Sequence, residues 1–236
     1  MNRVYFALAV LVLVALACSF TTVTTPTTQP PAGGGGNGQQ ILFQDDFSNA
    51  NSGWDRTHND SFTTDYENGG YRINVVPASY AVFANPYQSF QNNLRLEVDA
   101  TKIGGPDDNN AYGVICRYQD VDNYYYFYIS SDGYVGIGID NAGTKTLISS
   151  SDGYMTSVSS INLGAASNHL RVDCIGNTLT LFVNGSQAAT ASDSTFSGGD
   201  VGLGRVLVVA STRPMAHREI PRLDRFVSSR SVRRKD

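Results

Sequence analysis

The chain has 236 residues, 41% hydrophobic and 11% aromatic, which is enough for one well-packed domain with appendages and too little for two full-sized ones. Only 16% of the residues are charged, and unevenly: residues 1–204 hold 8 Lys and Arg against 18 Asp and Glu, while residues 205–236 hold 9 against 3. An acidic body argues against nucleic acid as a partner of the folded part, because neutralising phosphates takes clustered Lys and Arg.

At the N-terminus, Arg3 precedes an apolar run from Val4 to Ala17 that ends in Ala15-Leu16-Ala17-Cys18. Residues 1–18 resemble a bacterial lipoprotein signal peptide, cleaved before a lipid-modified Cys18, with Ala15 standing where leucine is usual. The other readings are an ordinary secretory signal and an uncleaved anchor, for which the run is short against a hydrocarbon core of about 30 Å. The expected address is extracytoplasmic, lipid-anchored to the cell membrane of a bacterium. Residues 19–40, rich in Thr and Pro and then in Gly, contain almost nothing to bury and read as a disordered tether.

From Ile41 onwards no segment keeps a 3.6-residue apolar period, and strands dominate. Tyr71, Ile73 and Val75 alternate with Arg72 and Asn74; Leu94, Leu96 and Val98 alternate with Arg95, Glu97 and Asp99. The run from Ala111 to Ile139 reads as three antiparallel strands. A bulged loop at Ser131-Asp132-Gly133 sets Ile129 opposite Val135, Phe127 opposite Ile137 and Tyr125 opposite Ile139. A four-residue loop at Gln119 to Asp122 sets Cys116 opposite Tyr125 and Val114 opposite Phe127. The opposite face then carries Arg117, Tyr124, Tyr126 and Tyr128, beside Gly136 and Gly138. Further on, the turn Gly176-Asn177 pairs Cys174 with Leu179, Val172 with Leu181 and Leu170 with Val183. Tyr80 to Ala84, Lys145 to Ser149 and Val201 to Val206 bring the total to about eleven strands, spaced as in a sandwich.

The start Asp45-Asp46-Phe47-Ser48 with Gly53-Trp54, the segment Tyr112 to Tyr118, the turn Asp122-Asn123-Tyr124, Leu170 to Gly176 and Val183-Asn184-Gly185 together resemble the concanavalin-A-like lectin/glucanase superfamily. More narrowly, they resemble jelly-roll domains of bacterial lipoproteins near the 3-keto-disaccharide hydrolase-like and laminin-G-like groups. The resemblance spans residues 41–204 and implies an all-β antiparallel jelly-roll β-sandwich; it says less of function, because that superfamily hosts lectins, glycosidases and interaction modules alike. Residues 205–236 depart from it as an atypical basic tail, in which Leu223 to Val227 reads as a closing strand. Ser211-Thr212-Arg213-Pro214 stands where such domains carry a stretch like Phe-Asp-Thr-Pro, and codons for one, read one base out of register, give the other. A frameshift after about Gly204 and a basic tail attracted to anionic lipid are the two readings.

Glycosidases of this fold that use two carboxylates set Glu-x-Asp-x-x-Glu on one strand. Here Glu97-Val98-Asp99 is followed by Ala100, Thr101 and Lys102, so lysine fills the acid/base position and the chain leans away from being an enzyme. Asp107 and Asp108, with Asn109 and Asn110, supply hard oxygens of the kind calcium takes, without the fixed spacing of a calcium loop; calcium is the one cofactor considered. His58, His169 and His217 are isolated, which disfavours zinc. Once Cys18 is lipidated, Cys116 and Cys174 are the remaining thiols, both in the apolar phase of their strands; in an exported protein the expectation is a disulfide, with two separate buried thiols as the alternative. Exposed aromatic rings stack on the C–H face of a pyranose, so Tyr124, Tyr126 and Tyr128 with Arg117 and Asp173 are the candidate ligand-binding residues, against the reading that loops cover this face. The function expected is a lectin-like, non-catalytic carbohydrate-binding module, acting as a monomer attached to the membrane through its N-terminal lipid. The alternatives are a sugar-processing hydrolase and a protein-interaction or structural module.

Overall fold

The structure, a computed structural model, describes residues 41–75, 81–91, 93–105, 108–206, 226–229 and 232–234. Cys18, the tether, Asp107 and the stretch 211–214 lie outside the described residues. In chain order the strands are β1 (Ile41–Phe43), β2 (Thr57–His58), β3 (Phe62–Glu67), β4 (Gly70–Val75), β5 (Ala81–Ala84), β6 (Ser89–Gln91), β7 (Leu94–Lys102), β8 (Ala111–Asp120) and β9 (Asn123–Ser130). They continue with β10 (Tyr134–Asn141), β11 (Thr144–Leu147), β12 (Thr156–Ser157), β13 (Ser167–Ile175), β14 (Thr178–Val183), β15 (Ser186–Ser192), β16 (Gly198–Val206), β17 (Phe226–Ser229) and β18 (Val232–Arg234).

Two antiparallel sheets form. The first runs β15-β14-β13-β7-β17-β4-β3-β2, with β18 joining β1 to β7; the second runs β11-β10-β9-β8-β16-β5, with β12 on β10 and β6 on β16. This is the antiparallel sandwich that the alternation of apolar residues predicts, and the jelly roll that the resemblance implies. The closing strand is present as Phe226–Ser229, inserted between β7 and β4, a little C-terminal of the predicted Leu223 to Val227.

The predicted pairings are observed residue for residue. Ile129, Phe127 and Tyr125 lie opposite Val135, Ile137 and Ile139, and Val114 and Cys116 lie opposite Phe127 and Tyr125. Cys174, Val172 and Leu170 face Leu179, Leu181 and Val183. Because side chains alternate along a strand, each of these sets falls on one face; the β8–β10 set of the second sheet meets the β13–β14 set together with Tyr71, Ile73, Leu94, Leu96 and Val98 of the first in a continuous core. Arg205, the first residue of the Arg-rich tail, takes the inward phase of β16 opposite Tyr112 and Val82 and is fully buried.

The Asp45-Asp46-Phe47 start acts as a clasp at one end of the core. Asp45 accepts the Phe47 N–H at 2.8 Å and the Trp54 Nε1–H at 2.9 Å, and Tyr66 Oη accepts the Trp54 N–H at 3.0 Å. The Trp54 ring thereby packs edge-on to Phe47, with centroids 5.3 Å apart.

One turn differs from expectation. Arg117 has φ 53°, the register slips between Cys116 and Asp120, and β8 runs on to Asp120, so a bulge and a short turn replace the four-residue loop. The slip leaves the register up to Cys116 untouched and rotates everything after it.

Cys116 and Cys174 form a disulfide that joins β8 of the second sheet to β13 of the first. It closes a loop of 58 residues. Replacing both cysteines by alanine should therefore lower stability by about 4 kcal/mol, the loop-closure entropy lost from the unfolded state. Urea unfolding of wild type and variant measures this, and coincident midpoints would show that the bridge adds no stability.

Candidate functional site

The outer faces of the two sheets differ in kind. On the first, Arg95 grips Asp173 with two hydrogen bonds of 2.5 and 2.7 Å, His169 Nδ1 lies 2.7 Å from Asp99, and the Arg171 guanidinium sits 3.6 Å above the Phe182 ring. Charges there neutralise one another, the Arg95–Asp173 pair largely buried and the His169–Asp99 pair more exposed. Glu97 and Asp99 face outward, as predicted, whereas Lys102 turns inward and its Nζ lies 2.6 Å from Asp108. The Glu-x-Asp-x-x-Lys pattern thus sends its last member to the other side of the strand.

The second sheet's outer face is aromatic. Tyr124, Tyr126 and Tyr128 share it, as the register requires, with ring centroids 6.3 Å apart for the first pair and 5.0 Å, stacked at 22°, for the second. Their neighbours across the strands are small. A Cβ at Gly138 would fall inside the Tyr126 ring, and one at Gly204 would lie 2.8 Å from the Tyr128 hydroxyl, so the two rings lie down on bare backbone in opposite directions. Phe83 and Tyr118 extend the cluster, with centroids 4.7 and 5.9 Å from Tyr124. Asp140, opposite Tyr124, is ion-paired with Lys145.

The rings are not exposed. Tyr124, Tyr126 and Tyr128 are 0%, 2% and 2% accessible, which corrects their expected standing as an open stacking platform. Leu147 and Met155 pack over Gly136, so the segment after β10 covers part of a face that the sequence leaves bare. Burial drives all three phenols well above their ordinary titration range, helped by the Asp140 carboxylate. The hydroxyls of Tyr126 and Tyr128 make no hydrogen bond.

Two other candidates are placed elsewhere. The bulge turns Arg117 away from the tyrosine face: its guanidinium donates to the carbonyls of Phe196 at 2.8 Å and Gly176 at 2.7 Å, beneath the Tyr125 ring. Asp173 lies on the outer face of the other sheet, held by Arg95. Neither joins the tyrosines. As to calcium, the Asp108 carboxylate is engaged by Lys102, and among the described residues no group of three or more metal-ligating side chains assembles.

The sequence reading missed Asp140, Lys145, Phe83, Tyr118 and Tyr87. Asp140 was within reach, since the hairpin register puts it opposite Tyr124. Phe83 and Tyr118 depend on β16 lying between β8 and β5, which no local pattern announces. At the rim beyond them Tyr87 is 75% exposed at φ 53°, its hydroxyl bonded to Asp55; that bond first, then burial, raises it to about 12. Nearby Asp200 is raised to about 6, chiefly by burial, although it accepts the Val201 N–H at 2.6 Å.

No protein-family model matches the chain, and no curated protein is similar to it. Solved structures are similar in fold, an antiparallel jelly-roll β-sandwich. The carbohydrate-binding module CBM66 from Bacillus subtilis is 18% identical, with 78% of this chain and 96% of that one covered and a TM-score of 0.56. A Bacillus licheniformis β-glucanase is 14% identical over 82% and 97%, with a TM-score of 0.54. The Crh5 transglycosylase in complex with NAG is 13% identical over 82% and 83%, with a TM-score of 0.55.

The raised Asp200 carboxyl gives a pH test with a definite sign. A carboxyl whose folded value lies above the ordinary 3.8 opposes folding once pH exceeds about 6, and this penalty disappears below about 4. Asp200→Asn keeps an acceptor for the Val201 N–H and removes the penalty, so the variant should melt higher than wild type at pH 7 and together with it at pH 4. Melting curves at the two pH values decide; an equal difference at both would place the effect outside this ionisation.

Proposed function

We propose that the chain is a non-catalytic carbohydrate-binding module, held outside the cytoplasm by a lipid on Cys18, whose ligand is recognised on the aromatic face of the second sheet. The observation that carries this reading is the pair of buried, unpartnered hydroxyls of Tyr126 and Tyr128. A buried polar group left without a partner costs about 1–3 kcal/mol, and a native fold seldom keeps one without a use for it. The hydroxyl ends are buried as well, so a ligand reaches them only by displacing the side chains that cover them; a polyhydroxylated ligand offers both donors and acceptors. Lys145 and Asp140 add one donor and one acceptor of opposite charge. Lys145, whose side chain is 38% exposed, and half-buried Phe83 and Tyr118 border the cluster.

The similar folds support a sugar ligand, since their names describe a carbohydrate-binding module, a β-glucanase and a transglycosylase with NAG bound. Lysine at position 102, on the other side of β7 from Glu97 and Asp99, leaves no carboxylate where the acid/base of the two-carboxylate pattern would stand, which supports binding without chemistry.

Glycan-array binding by purified residues 41–236 tests the reading. Tyr126→Phe with Tyr128→Phe should weaken binding about tenfold or more while leaving the melting temperature unchanged or raised, since only unsatisfied hydroxyls are removed. The corresponding alanine pair should instead destabilise, by roughly 3–5 kcal/mol per buried ring. Undiminished binding by the phenylalanine pair would refute the site; glycan products shortened on incubation, seen by mass spectrometry, would replace the module with a hydrolase. For the anchor, the mature chain from a lipidating bacterium should begin at diacylated Cys18, and an unmodified soluble N-terminus would refute it.

A further inference from the structure

We infer that the domain carries a second carbohydrate subsite, a cleft at the end of the second sheet that takes an uncharged sugar residue of a longer glycan. The inference rests on the sugar-binding reading above. The cleft has a volume of about 530 Å³, within the span of small-molecule sites at about 300–1,000 Å³. Hydroxyls of Ser89 and Ser197, amides of Gln91, Gln119 and Asn123 and the Phe196 ring line it, and none of its lining residues is charged. Amides present a donor and an acceptor side by side, which matches the paired hydroxyls of a sugar ring.

The walls are fixed before any ligand arrives. The Gln119 amide donates to the Gly198 carbonyl, and Asn123 donates to Asp120 at 2.8 Å while accepting the Ala142 N–H at 3.0 Å. Phe196 packs edge-on to Tyr125 with centroids 5.4 Å apart; its N–H donates to the Tyr125 hydroxyl at 3.1 Å and its carbonyl receives Arg117. Gly199, at φ 144°, sits too close to the Tyr118 carbonyl to carry a side chain. A site built from tethered groups loses little freedom on binding, which favours affinity.

Tyr87 stands two residues before Ser89, and Ser89 pairs with Asp200 across the sheet. Its ring is 75% exposed on strained backbone, and its hydroxyl is tied to Asp55, so it offers a flat apolar surface held at the margin of the cleft. Strain of this kind persists where surrounding bonds over-determine it. The charges around the cleft select the ligand. Asp55, Asp120 and Asp200 lie near this end, while Arg117 is spent on the carbonyls of Phe196, Gly176 and Cys174. A uronic or sialic acid would meet carboxylates with no free cation among the lining residues, whereas a neutral sugar meets hydroxyls and amides.

The test uses an array of neutral glycans and of glycans capped with uronate or sialate, probed with four forms of residues 41–236. Wild type should bind neutral members and leave the acidic ones. Ser197→Trp, which fills the cleft from an exposed position, and Tyr87→Ala should each weaken binding of neutral glycans of four or more residues at least fivefold, with unchanged melting temperature and with monosaccharide binding retained. The paired Tyr126→Phe, Tyr128→Phe form should lose both long and short ligands. If Ser197→Trp and Tyr87→Ala bind long neutral glycans as wild type does, or if acidic glycans bind best, the subsite is overturned while the aromatic-face reading stands. If wild type binds no glycan at all, both fall together.

Discussion

Strand pairing in the second sheet imposes a side-chain period of two, and nearly everything else in this domain follows from the register of β8, β9 and β10. In the observed register Tyr125, Phe127 and Ile129 enter the core and Tyr124, Tyr126 and Tyr128 stand on the other side. A slip of one residue would exchange the two sets, drive three hydroxyls into the sandwich in place of one and turn Phe127 outward. The bulged turn at Gly133, with φ 98°, pins one side of β9, and the disulfide at Cys116 fixes the other side against the first sheet. The register is thus held at both borders by features that tolerate no shift.

The glycines give this register its second consequence. Aromatic side chains on the outer face of a sheet ordinarily stand up between their neighbours; here Gly138 and Gly204 remove those neighbours, and the Tyr126 and Tyr128 rings lie across the adjacent strands. Lying down buries the rings and carries their hydroxyls away from the strand that bears them. This explains how three tyrosines become inaccessible on a face that is not the main core, with the polar ends of Tyr126 and Tyr128 carried apart toward Gly138 and Gly204. Replacing either glycine would meet the ring directly, so the tyrosines and the glycines form one unit in packing terms.

The parts of the domain legible in the sequence are those governed by alternation and turn chemistry. Each predicted cross-strand pair from Leu170 to Val183 and from Val114 to Ile139 is present, and the common apolar phase of Cys116 and Cys174 anticipated their bridge. Arg117 was misplaced because a single left-handed residue, which arginine rarely supplies, breaks the alternation just after Cys116. Asp173 was misassigned for a different reason: it has the right chemistry and an outward phase, but it belongs to the other sheet, and sheet membership depends on long-range pairing of β13 with β7. Burial of the tyrosines was likewise unreadable, since it depends on rings reaching over glycines two strands away and on the chain around Leu147 and Met155.

The two outer faces contrast in how their charges are arranged. On the first sheet, Arg95 pairs with largely buried Asp173 and His169 with the more exposed Asp99, so charge is matched within the sheet. On the second, hydroxyls and amides predominate, and its one buried carboxylate, Asp140, is already matched by Lys145. An acidic body with its cations engaged by neighbouring groups repels anionic partners at a distance and offers only short-range hydrogen bonding at contact. Recognition under those conditions depends on shape and hydroxyl geometry more than on charge, so affinity per sugar should be modest and should rise with the number of residues engaged at once.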